Sequence, residues 1–276
     1  MQQILLVTNA LTLNTSSVDF AAYVANLTKS RVIGLFLEQY EKAYSAVPQS
    51  AYEFTGEEEA ITDDSNPAIS NELIRKNVQL FKETCTRHNV TSSIHYVKGI
   101  AVDEIIKESR FADLIITDGG TSFNTENMDG IPSNFVKTLL ARAECPVIIS
   151  PFKFDEVNEI IFTYDGSNSS VFAIKQFTYL FPQLDETKIT LIQIAPGEVN
   201  ELTENDKLKR WLMMHYNAVH FEILHGAADE ELFKKLVAKR NKFLVMGAYG
   251  RRMLLDHSTA DLVLKTIDIP VFIAHH

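Results

Sequence analysis

Short runs of consecutive apolar residues alternate with stretches whose apolar residues recur at helical spacing, and this alternation covers the whole chain. Ile4-Leu5-Leu6-Val7-Thr8 and Val32-Ile33-Gly34-Leu35-Phe36-Leu37 read as strands buried on both faces. Between them Val18, Ala21, Ala22 and Ala25 fall on one helical stripe within 18–27. Further on, the pattern predicts a helix over 71–88, a strand over 93–97, a helix over 101–109, a strand over 114–117, a helix over 133–143 and a strand over 147–150. It then restarts. Strands are predicted at 160–164, 189–194, 219–224, 243–246 and 271–274, with helices over 170–180, 203–217, 229–239 and 258–267. Trp211, Met213 and Met214 are expected in the core of the 203–217 helix.

The two passes also match in detail. Lys98-Gly99-Ile100-Ala101-Val102-Asp103-Glu104 parallels His225-Gly226-Ala227-Ala228-Asp229-Glu230-Glu231, and a proline precedes the last strand of each half, Pro146 and Pro270. An internal duplication follows, giving one domain over 1–152 and another over 153–276, with the boundary near Phe152 to Val157. Short, nearly all-apolar strands alternating with helices predict two tandem open parallel sheets flanked by helices. In such sheets ligands sit beyond the carboxyl ends of strands where the strand order reverses, so the residues after strands one and four of each half are the candidates.

Composition narrows the classes. With 46% hydrophobic and 22% charged residues the chain of 276 residues can bury a proper core. No stretch reaches the ~18 apolar residues of a membrane span, and no basic segment followed by a long apolar one opens the sequence. The two cysteines, Cys85 and Cys145, lack metal spacing and suit a reduced cytoplasmic setting. The net charge of −10 argues against nucleic acid and anionic membranes as partners. Much of it lies in 41–70, where seven acids stand against Lys42; with Pro48, Gly56 and Pro67 this segment reads as a long solvated loop, although Tyr40, Tyr44, Tyr52 and Phe54 are residues that pack down on something.

The sharpest local signal is Phe243 to Arg252. Its apolar strand empties into Gly247-Ala248-Tyr249-Gly250 and then Arg251-Arg252. Glycines three apart at a strand end turn tightly and expose backbone N–H groups that can cradle a phosphate; glycine there also serves simple turn geometry. Asp165-Gly166 after the first strand of the second half is either a ligand contact or a turn. Ser258-Thr259-Ala260-Asp261 is close to a capping box, and Ser258 sits where a helix N-terminus would also favour an anion.

Together these residues resemble the universal stress protein family in its tandem two-domain form. The resemblance rests on Tyr164-Asp165-Gly166-Ser167, on Val245-Met246-Gly247-Ala248-Tyr249-Gly250-Arg251, on His257-Ser258-Thr259-Ala260 and on Ile269-Pro270-Val271-Phe272-Ile273, and covers essentially the whole chain. It implies a Rossmann-like, adenine-nucleotide alpha hydrolase-like fold with five parallel strands per domain. The domains are expected to pair through their last strands as an internal pseudo-dimer with pseudo-two-fold symmetry. It also implies ATP or another adenine nucleotide as ligand, held by Asp165, Gly166, Gly247, Gly250, Arg251, Ser258 and Thr259. The family pattern is G-x2-G-x9-G-[ST]. Here six residues separate Gly250 from His257, which stands in place of the third glycine. In the first half Asn9 replaces Asp165, Asp118 and Thr121 replace the two glycines, and Ser133-Asn134 replace His257-Ser258, so that half reads as having lost the site. The implied role is a stress-response regulator, not an enzyme, acting as a monomer or homodimer. The alternative is an adaptor of the same fold that works through protein contacts without nucleotide.

Overall fold

The computed structural model describes residues 1–39, 52–53, 67–124, 130–195, 205–237, 240–247, 264–265 and 268–274. Its contacts divide the chain into two compact units, Met1–Cys145 and Pro146–His276. The strand Val147–Ser150 therefore goes with the second unit.

In the first unit β1 (Gln3–Asn9), α1 (Thr15–Thr28), β2 (Arg31–Gln39), β3 (Tyr52–Glu53), α2 (Pro67–Arg87), β4 (Ser92–Gly99), α3 (Ala101–Ser109), β5 (Leu114–Asp118) and α4 (Asn134–Arg142) follow in order. The strands lie side by side as β3-β4-β2-β1-β5, and all are parallel except β3, which pairs antiparallel with β4. The chain winds outward from β1 through β2 to β4, then crosses back to place β5 on the other side of β1. The order thus reverses at β1 and β5. Ile4, Leu35, Phe36 and Ile115 are fully buried, as continuous apolar runs require when helices cover both faces. Gly34 makes room for the core on its side. A Cβ there would stand 2.9 Å from the rings of Phe36 and Phe81, which meet edge to face at 5.8 Å. Asn14 caps α1 by accepting from Ser16 N at 3.0 Å, and Lys29 ends the helix in the left-handed region.

The second unit comprises β6 (Val147–Ser150), β7 (Glu159–Tyr164), α5 (Asn168–Leu180), β8 (Lys188–Ala195), α6 (Asn205–Met213), β9 (Val219–His225), α7 (Ala228–Leu236), β10 (Lys242–Gly247) and β11 (Val271–Ala274). The strand order is β6-β11-β10-β7-β8-β9, with β6 antiparallel to β11 and the rest parallel. Reversal falls between β7 and β10. The core is aromatic. Phe177 of α5 meets Phe162, Phe243 and Phe272 edge to face at 5.8, 5.0 and 5.3 Å. Each such ring contributes about 1.5–3 kcal/mol through burial, and a favourable ring pair adds roughly 0.5–1.5 kcal/mol.

At the amino ends of the second unit's strands Glu159 is hydrogen-bonded by Lys242 and Thr190, with Lys188 Nζ at 3.2 Å. Burial alone would push its carboxyl up. The bonds from Lys242 and Thr190 and the lysine charge outweigh this and bring its pKa down to about 2. In the first unit the same corner holds Asp113, whose Oδ2 accepts from the backbone N–H groups of Gln2 and Gln3 at 2.7 and 3.0 Å.

Three sequence expectations change. Within the segment predicted as loop, Tyr52–Glu53 forms β3 against Tyr96 and His95 of β4, and α2 already starts at Pro67. The helix predicted over 203–217 ends at Met213, so Met213 and Met214 are exposed at 63% and 79% instead of lying in a helix core. Trp211 meets the His215 ring at a tilt, 4.3 Å between centres, half-buried beside Tyr179.

Candidate functional site

Neighbouring registers place the candidate residues. In the second unit Phe162 of β7 pairs with Val245 of β10, so Asp165, three residues on, and Gly247, two residues on, lie at adjacent carboxyl ends. In the first unit Leu6 of β1 pairs with Ile116 of β5, which puts Asn9 and Asp118 at the same offsets. The structure therefore makes Asn9 the positional counterpart of Asp165, and Asp118 that of Gly247.

In the second unit β7 runs into a tight turn. Gly166 takes φ 79°, the left-handed region that glycine enters without strain. Asp165 Oδ1 accepts from Ser167 N at 2.9 Å, an Asx-type turn. Ser167 caps α5, its Oγ accepting from Ser170 N at 3.1 Å. Gly247 is pressed on the same helix. A Cβ at this position would stand 2.6 Å from the Ser169 carbonyl carbon and 2.7 Å from Ser170 N. Any side chain would collide with backbone, so here the glycine serves close approach, and that approach sets the first turn of α5 against the end of β10. Thr163 Oγ1, donating to Val245 O at 3.2 Å, ties the two strands just beneath.

One polar atom of this arrangement is left over. Asp165 Oδ2 is buried and has no hydrogen-bond partner among the described residues. A buried polar atom without a partner forfeits about 1–3 kcal/mol, more when charged, and such atoms are rare in native proteins. The positive end of α5 lies at the same crevice, where an anion is favoured.

The first-unit crevice is bridged by its own side chains. Asn9 Oδ1 accepts from Leu11 N and its Nδ2 donates to Ser122 O, both at 2.9 Å. Asp118 accepts from Gly120 N through Oδ1 and from Thr121 Oγ1 through Oδ2, both at 2.8 Å. Ser133 donates through Oγ to Thr121 O and caps α4 by accepting from Val136 N at 3.1 Å. Ser133 and Thr121 are buried.

Of the residues expected at the site, Asp165, Gly166 and Gly247 come together. Gly250, Arg251, Ser258 and Thr259 lie outside the described residues, as does His257. Two features were missed from sequence. Ser167 as the α5 cap was readable from Ser167-Asn168-Ser169-Ser170 preceding the helical stripe. The Asn9–Ser122 bridge, across more than a hundred residues, left no local signal. Neither cysteine adds chemistry: Cys85 is buried and its thiol is pushed up, while at Cys145 burial, with Asp113 and Glu144 nearby, pushes the thiol up to about 12. No described helix is long and apolar enough to cross a membrane.

No protein-family model matches the sequence, and no curated protein matches it. Solved structures do. The fold is similar to that of a universal stress protein from Archaeoglobus fulgidus DSM 4304, with 17% identity and a TM-score of 0.68 over 99% of this chain and 98% of that one. It is also similar to a functionally unknown protein from Pseudomonas aeruginosa PAO1, with 17% identity and a TM-score of 0.55 over 100% of this chain and 92% of that one. The chain thus shares, over its full length, the α/β fold of a universal stress protein.

Proposed function

We propose that this chain is a universal stress protein-type regulator, working in a reducing cytoplasm, whose second unit binds ATP or a related adenine nucleotide and answers through altered protein contacts, without turnover. The observation that carries this reading is the buried Oδ2 of Asp165 at the strand-order reversal, which has no hydrogen-bond partner among the described residues. A ligand bringing an N–H or O–H donor would relieve that cost, and adenosine offers both in its amino group and ribose hydroxyls. The amino end of α5, fixed against Gly247, would meet the phosphates. Asp165 and Gly166 would hold the nucleoside side and Gly247 the phosphate side, with Gly250, Arg251, Ser258 and Thr259 as the further phosphate contacts that the family resemblance implies.

The test is a thermal-shift titration of the full chain with ATP, ADP, AMP and cyclic AMP, inorganic phosphate serving as the control. Saturable stabilisation by at least one nucleotide is expected, about 2.7 kcal/mol at a hundredfold excess over Kd. Asp165→Asn should abolish it, because the amide of Asn offers a donor where the ligand needs an acceptor. A protein unmoved by all four at millimolar concentration would instead be an adaptor of the same fold.

A further inference from the structure

We propose that the outer edge of β9 in the second unit, with the groove beside it, is a strand-addition site for an extended acidic segment of a partner protein. Three observations converge on it. Within its unit β9 ends the strand order, with no described strand on its outer side. Five of its seven residues, Val219 and Phe221 to Leu224, are only half-buried, and His220 and His225 are exposed. An edge strand presents a row of backbone donors and acceptors to any chain that pairs with them.

The first unit shows how this molecule covers the equivalent edge. There β4 ends the run of parallel strands, and β3, Tyr52–Glu53, pairs antiparallel against Tyr96 and His95. That strand comes from the crossover 40–66, between β2 and α2. The corresponding crossover of the second unit, 196–204 between β8 and α6, is a third as long. The piece that supplies an edge strand in one repeat has no counterpart of similar length in the other.

The groove specifies what would pair there. A cavity of about 850 Å³ lies at the amino ends of β8 and β9, lined by the cation Lys209, by Lys188, which pairs with Glu159, by His220, and by the apolar Met213 and Phe221; none of its lining residues is acidic. Lys209 Nζ stands 5.8 Å from the Phe221 ring centre, and Met213 is 63% exposed. On a chain of net charge −10 this basic, partly apolar groove selects an acidic strand with an apolar or aromatic side chain at alternate positions, the type that Tyr52–Glu53 represents in the first unit. A second copy of β9 fits poorly, because antiparallel pairing about the strand's centre sets Glu222 against Glu222.

The experiment is fluorescence anisotropy on the full chain with a labelled, end-capped peptide of the sequence Ser50 to Glu58, used as a surrogate acidic aromatic strand. Saturable binding is expected, weakened about tenfold by Lys209→Glu, the size of one lost charged contact of about 1.4 kcal/mol. The same peptide with alternate backbone amides N-methylated should not bind, nor should one with its glutamates replaced by lysine. Exchange of β9 amides should slow on binding. Lys209 is exposed, so its reversal leaves the core alone. Asp165→Asn should leave peptide binding unchanged, which separates this site from the nucleotide reading. Absence of saturation, equal binding of the N-methylated peptide, or indifference to Lys209→Glu each overturns the proposal.

Discussion

At the carboxyl end of the first strand, each unit places a short polar side chain whose oxygen turns the backbone. Asn9 accepts from Leu11 N and Asp165 from Ser167 N, at 2.9 Å in both. The second polar atom separates the two. In Asn9 it is an N–H donor spent on Ser122 O. In Asp165 it is an acceptor that is buried and has no partner among the described residues. The position beside it differs in the same sense. Asp118 fills its corner and binds Gly120 and Thr121, whereas Gly247 leaves it to the first turn of α5. A repeated fold can therefore carry at matching registers a crevice bridged by its own side chains and one with an acceptor left over among the described residues. What distinguishes them is local hydrogen-bond bookkeeping rather than topology.

The largest effect expected is at Gly247. In Gly247→Val the new carbon atoms meet the Ser169–Ser170 backbone, which cannot yield as a side-chain tip could. A loss of about 3 kcal/mol or more is expected, read by urea denaturation. The reciprocal Asp118→Gly in the first unit removes two hydrogen bonds without a clash and should cost only about 1–2 kcal/mol. Equal costs would mean that the two corners are built alike.

Acid should then separate the units by their strand bottoms. The Glu159 carboxyl is held at about 2 against an ordinary 4.5, so it binds its proton more weakly in the folded chain than in the unfolded one. Its contribution is complete above pH 4.5 and is lost as pH falls toward 2. Its side chain is only 14% exposed, so water screens the pairing with the lysines only in part. In acid titrations followed by amide exchange, the second unit's strands should lose protection over that window. Glu159→Gln should flatten this dependence while leaving the first unit's response in place.

The architecture was legible in sequence because strands covered on both faces must be apolar throughout. Ile4 to Thr8, Val147 to Ser150 and Val271 to Ala274 announce themselves without any partner. Strand β3 did not, since Tyr52–Glu53 has no periodicity of its own and exists only against the β4 edge. The end of α6 misled for the opposite reason. Tyr216 falls on the helical stripe, but it is reached through a turn, with Met214 N and His215 N bonded to Trp211 O and Leu212 O. It is buried because its ring packs on Phe162 and its hydroxyl pairs with Thr178. At the site, Asp165 and Gly247 could be located from their positions after strands. The reason for Gly247 could not, because it lies in a helix turn far back in the chain.

The smallest effects test the comparison most closely, because they exchange one atom type between equivalent positions. Asn9→Asp sets a carboxylate oxygen against Ser122 O in place of a donor, and should cost about 1–3 kcal/mol as a buried acceptor loses its partner. Asp165→Asn runs the other way. Oδ1 still accepts from Ser167 N, while the acceptor without a partner among the described residues becomes an uncharged NH₂. The cost of a buried charged oxygen is removed, and the ligand-free protein should be unchanged or gain up to about 1 kcal/mol. Both are measured by urea denaturation without nucleotide. Opposite signs at positions that share a register would locate the difference between the crevices in that single atom. A destabilising Asp165→Asn of the size of Asn9→Asp would show instead that Asp165 Oδ2 already serves the fold, and would remove the ground on which a ligand is inferred there.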